Sequence, residues 1–200
     1  MRDRKAVEIA RWPHTFYLPG GEPVMVRTLR PQDAARLQTY VQGLAAESRR
    51  NRFLGAVNEL APTKLEYVLH MDRPGELALM AFAGGDHEAA MIAEAIQVIA
   101  PDSERCEMAL SVADGWQRRG LGTLLLRNVE CRARILGARY LFGEVLRTNT
   151  AMKCLARSEG FSIGSPFAGA ALLEIVKDLS MPQRGLPCHE QFVELPSIAA

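Results

Sequence analysis

The residues whose types and spacing are best suited to chemistry are Gln117-Arg118-Arg119-Gly120-Leu121-Gly122, which open onto the leucine run Leu124-Leu125-Leu126. A helix start carries unpaired N–H groups and the positive end of the helix dipole, so it attracts phosphate. Glycines let the backbone approach an anion closely, and Arg118 and Arg119 add positive charge. Taken alone, the loop reads in two ways. It is a cradle for a phosphorylated ligand, a diphosphate above all, or a glycine turn feeding a buried helix beside two solvated arginines.

Other motifs fit less well. A Walker A loop needs a lysine that Gly122-Thr123 does not supply, and the third glycine of a dinucleotide fingerprint is replaced by Leu125. Gly160-Phe161-Ser162-Ile163-Gly164 matches G-x-S-x-G, with Asp178 and His189 following in hydrolase order. A nucleophile elbow needs a strand before the serine and a helix after it. Here a helical pattern precedes, Pro166 follows, and too little chain remains for the rest of a hydrolase sheet. His14, His70, His87 and His189 form no HExxH-type cluster, and Cys106, Cys131, Cys154 and Cys188 form no CxxC pair, so neither a metal nor a disulfide framework is expected.

The elements that must position the loop can be read from periodicity and turn residues. A hairpin is expected over about 14–30, around Pro19-Gly20-Gly21. Helical patterns follow at Pro31–Leu44, Ala45–Gly55 and Pro62–Met71. A second hairpin joins Glu76–Ala83 to Glu88–Ala100 through Gly84-Gly85-Asp86, and Glu104–Ala113 alternates like a strand. A helix spans Gly120 to Gly137, with Leu121, Leu124, Leu125 and Val129 in one stripe. Then come the strand Ala138–Leu146, a helix from the cap Asn149 to the stop Gly160, and a last strand over Gly169–Leu179. The order predicts a mixed α/β (α+β) fold with a mainly antiparallel central sheet flanked by helices. The chain is expected to form a single domain over 1–179 with an irregular tail at 180–200.

Composition narrows the partners. With 24 Lys+Arg against 23 Asp+Glu among 200 residues, the net charge of +1 points to neither nucleic acid nor acidic lipid. No apolar run reaches the roughly 20 residues of a membrane helix, and the basic N-terminus lacks an apolar signal-peptide core. A reducing cytoplasm is the expected setting. Arg49, Arg50 and Arg52 make a basic cluster that either meets an anionic partner or forms a solvated helix face.

The stretch VADGWQRRGLGTLLL, residues 112–126, resembles the acetyl-CoA signature [QR]-x-x-G-x-[GA] of the GNAT superfamily of N-acetyltransferases. The context agrees: the strand EMALSV before it, a helix after it, then LFGEVL and NTAMKCLARSEGF, the last similar to the family's N-x-x-[AM]…GF helix and turn. The element order matches the family's from about residue 24 to residue 178. A narrower resemblance lies in VRTLRPQDAARLQTYVQGLAAESRRNRFLG, residues 26–55, and in CEMALSVADGWQRRGLG, residues 106–122. Both are similar to the acetyltransferase domain of bacterial protein lysine acetyltransferases. There the domain often accompanies a regulatory or synthetase-like domain, for which 200 residues leave no room.

The resemblance implies that two neighbouring strands splay apart and hold the pantetheine arm of acetyl-CoA. Leu110, Ser111 and Val112 would supply the strand edge, and Gln117, Arg118, Arg119, Gly120, Leu121, Gly122 and Thr123 the pyrophosphate loop. Asn149 would contact the arm, cap its helix, or do both. The activity implied is acetyl transfer to a primary amine, on a protein lysine or a small molecule, by direct attack. Its general base would be Glu107 and its oxyanion donor the Val112 N–H. Glu107 otherwise reads as a solvent-facing strand residue, Glu144 is its rival on the next strand, and Glu104 lies too far toward the strand's start. The family's leaving-group tyrosine is replaced here by Ala156, with Tyr140, Ser111, Cys154 or water as alternatives. A CoA-binding regulatory module without catalysis is the second reading. The acceptor is not legible, and antiparallel sheet edges would allow a homodimer.

Overall fold

The computed structural model describes residues 14–71, 75–84, 89–164 and 170–180. Eight strands form one sheet in the order β1-β2-β3-β4-β5-β6-β8-β7. They are β1 (His14–Tyr17), β2 (Pro23–Thr28), β3 (Glu76–Ala83), β4 (Met91–Ile99), β5 (Arg105–Val112), β6 (Tyr140–Leu146), β7 (Ser162–Gly164) and β8 (Leu172–Asp178). Every pairing is antiparallel except β5 with β6. The helices are α1 (Ala34–Gly43), α2 (Ala46–Phe53), α3 (Pro62–Leu69), α4 (Leu121–Ile135) and α5 (Thr150–Ser158).

The sheet buries both faces. On one, Leu121, Leu125, Leu126 and Val129 of α4 and Ala156 of α5 pack with Leu77, Leu79, Cys106, Met108 and Leu141. On the other, Leu37, Tyr40 and Val41 of α1 and Val68 of α3 pack with Ala78, Met80 and Phe82. Residues alternate between faces along a strand. Met108 therefore looks toward α4, while Glu107, Ala109 and Ser111 look toward the side of α1.

Most expected elements form within a residue or two of their sequence signals. The first hairpin turns through Leu18 N–H to Glu22 O (3.0 Å) and Gly21 N–H to Leu18 O (2.7 Å). Gly120 at φ 89° starts α4, and Gly160 at φ 82° follows α5, where Phe161 N–H returns to Ala156 O at 2.9 Å. Both glycines occupy left-handed backbone that side chains disfavour. One strand was not expected. Ser162–Gly164 forms β7 as a sheet edge paired with β8. Ser162 is exposed and follows a helix, the reverse of a nucleophile elbow. Cys188, His189 and most of the expected 180–200 tail lie outside the described residues, as do Gly85 and Asp86 of the second hairpin turn.

Candidate active site

The parallel ladder between β5 and β6 is short. Arg105, Cys106 and Glu107 pair with Tyr140, Leu141 and Phe142, and pairing stops there. Gly143 follows the last paired residue and the strands are still close there, since a Cβ on it would lie 2.7 Å from the Met108 carbonyl oxygen. Beyond this point β5 keeps its partner on the other side, β4, through Val112.

Which main-chain groups face the gap follows from ladder alternation. Just past the end of β5, Ala113 N–H bonds Ile92 O of β4 at 2.8 Å. The register between these strands is unbroken from Ala93↔Val112 to Ile99↔Cys106. Ser111 and Ala109 therefore turn their N–H and C=O toward β4, while Leu110 and Val112 turn theirs toward the gap. Of the three residues assigned to the edge from sequence, Ser111 contributes no main-chain group there. Its hydroxyl is buried on the α1 face instead, against Tyr40 and Glu94.

The glycine loop runs from the end of β5 to α4. Its Arg118 (φ 59°) and Gly120 (φ 89°) are both left-handed. The amides of Arg118 to Thr123 bond no acceptor among the described residues, as the first groups of a helix do not. Gly122 must stay small, because a Cβ there would lie 3.3 Å from Leu155 Cδ2 and 3.9 Å from Val112 Cγ2. The two arginines differ. Arg119 pairs with Glu22 at 2.7 Å and lies over the Trp116 ring, whereas Arg118 is exposed. The Gln117 side chain donates to Val112 O at 3.1 Å and to Ser48 Oγ at 3.2 Å. Ser48 in turn donates to Asp114, which also accepts from Ala45 N–H at 2.8 Å. Burial works to raise the Asp114 pKa, but these two hydrogen bonds outweigh it and hold the carboxyl below its ordinary value. The loop is thus clasped between α2 and the β1–β2 hairpin.

Glu107 is exposed on the α1 face, in register with Val98 of β4 and Phe142 of β6. Glu144 shares that face two residues along β6, opposite Glu174. Neither Glu107 nor Glu144 makes a side-chain hydrogen bond or ion pair among the described residues, whereas Glu174 pairs with Arg105 at 2.5 Å. No residue of β6 or β8 joins the cluster under α1 and α3, so this part of the face is uncovered among the described residues.

The remaining candidates separate clearly. Asn149 caps α5, accepting Met152 N–H at 3.0 Å. Ala156 is fully buried, and Cys154 is exposed on α5. Burial, with the Glu107 charge adding to it, pushes the Cys106 thiol up to about 12, so it is no nucleophile at neutral pH. Tyr140 lies at the paired end of β6, opposite Arg105 and away from the gap. The basic cluster of α2 is largely engaged internally. Arg49 holds the carbonyls of Gln42 and Leu44, and Arg52 holds Glu94 at 2.6 Å. Sequence reasoning missed the chain Arg52–Glu94–Ser111–Tyr40. Its one signal was a glutamate inside the apolar run Met91–Ile99, where a buried charge needs a partner. No group of three or more His, Cys, Asp or Glu residues with metal-site geometry occurs among the described residues.

A mixed sheet whose strands part beside a glycine loop at a helix start is the architecture of an acyltransferase. The model of the acetyltransferase (GNAT) family matches residues 42–161, and the chain belongs to that family. It is an enzyme of the N-acetyltransferase class, whose members use acetyl-CoA as cosubstrate. The chain is 30% identical over 156 residues to acetyltransferase PA5475 of Pseudomonas aeruginosa, covering 78% of this chain and 83% of that protein. The crystal structure of the GNAT domain of S. lividans PAT superposes with TM-score 0.75 at 25% identity, covering 84% of this chain and 98% of that one. A cAMP-binding acyltransferase from Mycobacterium smegmatis gives TM-score 0.61 at 21% identity, covering 98% of this chain and 54% of that one.

Proposed function

We propose that this protein transfers the acetyl group of acetyl-CoA to a primary amine by direct attack. The observation that carries the reading is the parting of β5 from β6 after Glu107, next to a helix start whose amides have no acceptor among the described residues. The residues present suit the cosubstrate. Leu110 and Val112 offer main-chain groups to a pantetheine arm. The amides from Arg118 to Thr123, with Gly120 and Gly122 leaving space, suit a pyrophosphate, and the exposed Arg118 adds a positive charge. Gln117 and Arg119 support the loop through their side chains. Asn149 holds the start of α5 beside it.

An alkyl amine has an ordinary pKa near 10.4 and arrives as ammonium at neutral pH. Glu107, exposed and without a side-chain partner among the described residues, takes the proton directly or through water. The amine nitrogen then bonds the acetyl carbon, and the Val112 N–H supports the oxyanion. Collapse breaks the carbon–sulfur bond, the nitrogen releases its second proton to water, and the thiolate takes up one proton from the same water. Glu107 and Glu144 give the open face a negative character that favours a cationic acceptor, whether a protein lysine or a small amine. The setting we assign is cytoplasmic, on the buried thiol of Cys106, which forms no disulfide among the described residues. No described helix is long and apolar enough to cross a membrane. We assign residues 1–179 to one catalytic domain.

The test is acetyl-CoA with a panel of small amines and lysine-containing proteins, reading free thiol and acetylated product. Acetylated amine with stoichiometric thiol supports the proposal. Thiol release that no amine accelerates overturns it.

A further inference from the structure

The reading of β5 as the acyl-binding strand raises a mechanical question, and the inference below rests on that reading. A strand that has lost one neighbour must still present its amides at a fixed place. From Met108 onward β5 has no β6 partner, yet Val112 N–H is the group assigned to the oxyanion. The peptide plane carrying that N–H begins at Ser111. The main-chain groups of Ser111 are tied to β4, so the remaining freedom is rotation of the strand end about that ladder.

A buried chain on the α1 face opposes this rotation. Arg52 of α2 donates to Glu94 Oε1 at 2.6 Å. Ser111 Oγ donates to the same oxygen at 3.0 Å. Tyr40 OH of α1 lies 2.8 Å from Ser111 Oγ. Glu94 can only accept, so the Ser111 proton goes to Glu94 and Tyr40 must donate to Ser111. Tyr40, Glu94 and Ser111 are 5%, 2% and 9% exposed, so water competes little for these bonds. Burial, with the Glu94 charge adding to it, pushes the Tyr40 pKa far up, which keeps its proton in place. All four residues lie on different elements: α1, α2, β4 and β5.

We propose that Ser111 is a positioning residue for acetyl transfer. Held by Glu94 and Tyr40, it fixes the unpaired end of β5 so that the Val112 N–H meets the thioester carbonyl. Neither Ser111 nor Tyr40 then serves as acid for the leaving thiolate, since each has its proton committed within the chain. Arg52 holds Glu94 as a charged acceptor and carries the same support into α2.

The carbonyl itself reports this role without any acceptor amine. Infrared difference spectra of [1-13C]acetyl-CoA bound to the full chain read the polarisation of the thioester C=O. Wild-type protein should lower the stretch relative to free acetyl-CoA. Ser111→Ala should lose about half of that shift or more, while affinity for CoA, which has no carbonyl to place, stays within about threefold. Ser111→Thr restores a hydroxyl on a residue suited to strands and should restore the shift. Tyr40→Phe keeps the Ser111–Glu94 bond and should fall between, and it serves as the second variant if Ser111→Ala is unstable. A Ser111→Ala shift equal to wild type overturns the positioning role, and so does equal loss of CoA affinity in Ser111→Ala and Ser111→Thr. An unshifted carbonyl in wild type, with acetyl-CoA bound, overturns the assignment of the acyl site itself.

Discussion

A carboxylate that takes a proton from an ammonium ion must be reachable, and Glu107 meets that condition among the described residues, exposed beside the strand gap. Glu107→Gln keeps the shape and removes the basic oxygen. Turnover should fall by roughly 100- to 10,000-fold with acetyl-CoA affinity near wild type. The deficit should shrink as pH rises toward about 10.4, because more amine then arrives unprotonated. Wild-type turnover in Glu107→Gln at pH 7 would move the search to Glu144. Tyr140 lies at the wrong end of β6 to meet a leaving thiolate. Tyr140→Phe should therefore cost less than about tenfold, well short of the loss of a general acid. The face that Glu107 occupies was legible in sequence because strand alternation gives one residue's face from its neighbours'. The bond between Tyr40 and Ser111 was not, because it joins residues 71 apart in the chain, and no local period encodes that meeting. The arginines of α2 misled for the same reason. Their partners Glu94 and the Leu44 carbonyl are set by packing, not by spacing.

Elements were more legible than contacts, since helix and strand periods are local properties of the chain. The glycine loop and α4 could be placed because Gly120 supplies a left-handed residue where the helix must begin. β7 escaped because three residues carry no usable alternation, and its pairing with β8 depends on the fold around it. The parting of β5 and β6 had only a family resemblance to announce it, and a glycine keeps the two strands close where their pairing ends. In Gly143→Ala the new methyl group would meet the Met108 carbonyl at 2.7 Å, and backbone cannot yield as a side-chain end does. Urea unfolding should show a loss of about 1 to 3 kcal/mol, and acetyl-CoA affinity should change too, since the β5 edge must shift. A second element-scale test concerns the lead-in to α1. Arg27 holds Asp33 at 2.6 and 2.8 Å with both side chains buried. Burial works to raise the Asp33 pKa, but the bonds from Arg27, the Arg30 amide and Arg36 outweigh it and lower it from 3.8. A lowered folded pKa gives stability that is full above the unfolded value and is lost as pH falls through the folded one. Asp33→Asn should therefore cost about 3 to 5 kcal/mol at pH 7. Its deficit against wild type should narrow below about pH 4. An undiminished deficit at pH 3 would show that packing, and not the charge, is what Asp33 contributes.

At the scale of the whole molecule, the sheet separates two tasks. One face is covered by α4 and α5, and the other by α1 to α3, with its β6 and β8 end uncovered among the described residues. A ligand in the gap would touch β5, the loop and α4 together. It would replace the β5–β6 contacts that the fold gives up, so cosubstrate binding should stabilise the entire chain. At a hundred times its dissociation constant, a ligand that binds only the folded state adds about 2.7 kcal/mol. For a chain of this size each kcal/mol raises the melting temperature by roughly 2 to 4 °C, so a rise of roughly 5 to 11 °C is expected. CoA lacking the acetyl group should give most of it, because the pyrophosphate and pantetheine make the contacts. Gly122→Glu places a side chain against Leu155 and a negative charge where the phosphates would sit. It should melt without responding to CoA at all. Gly115 has open space around it in the same loop, so Gly115→Ala is the control that should keep the response. Calorimetric scans with CoA, with NAD and without ligand decide the matter. A wild-type rise with NAD but none with CoA would return the loop to a dinucleotide, and an equal rise in Gly122→Glu would place CoA away from the start of α4.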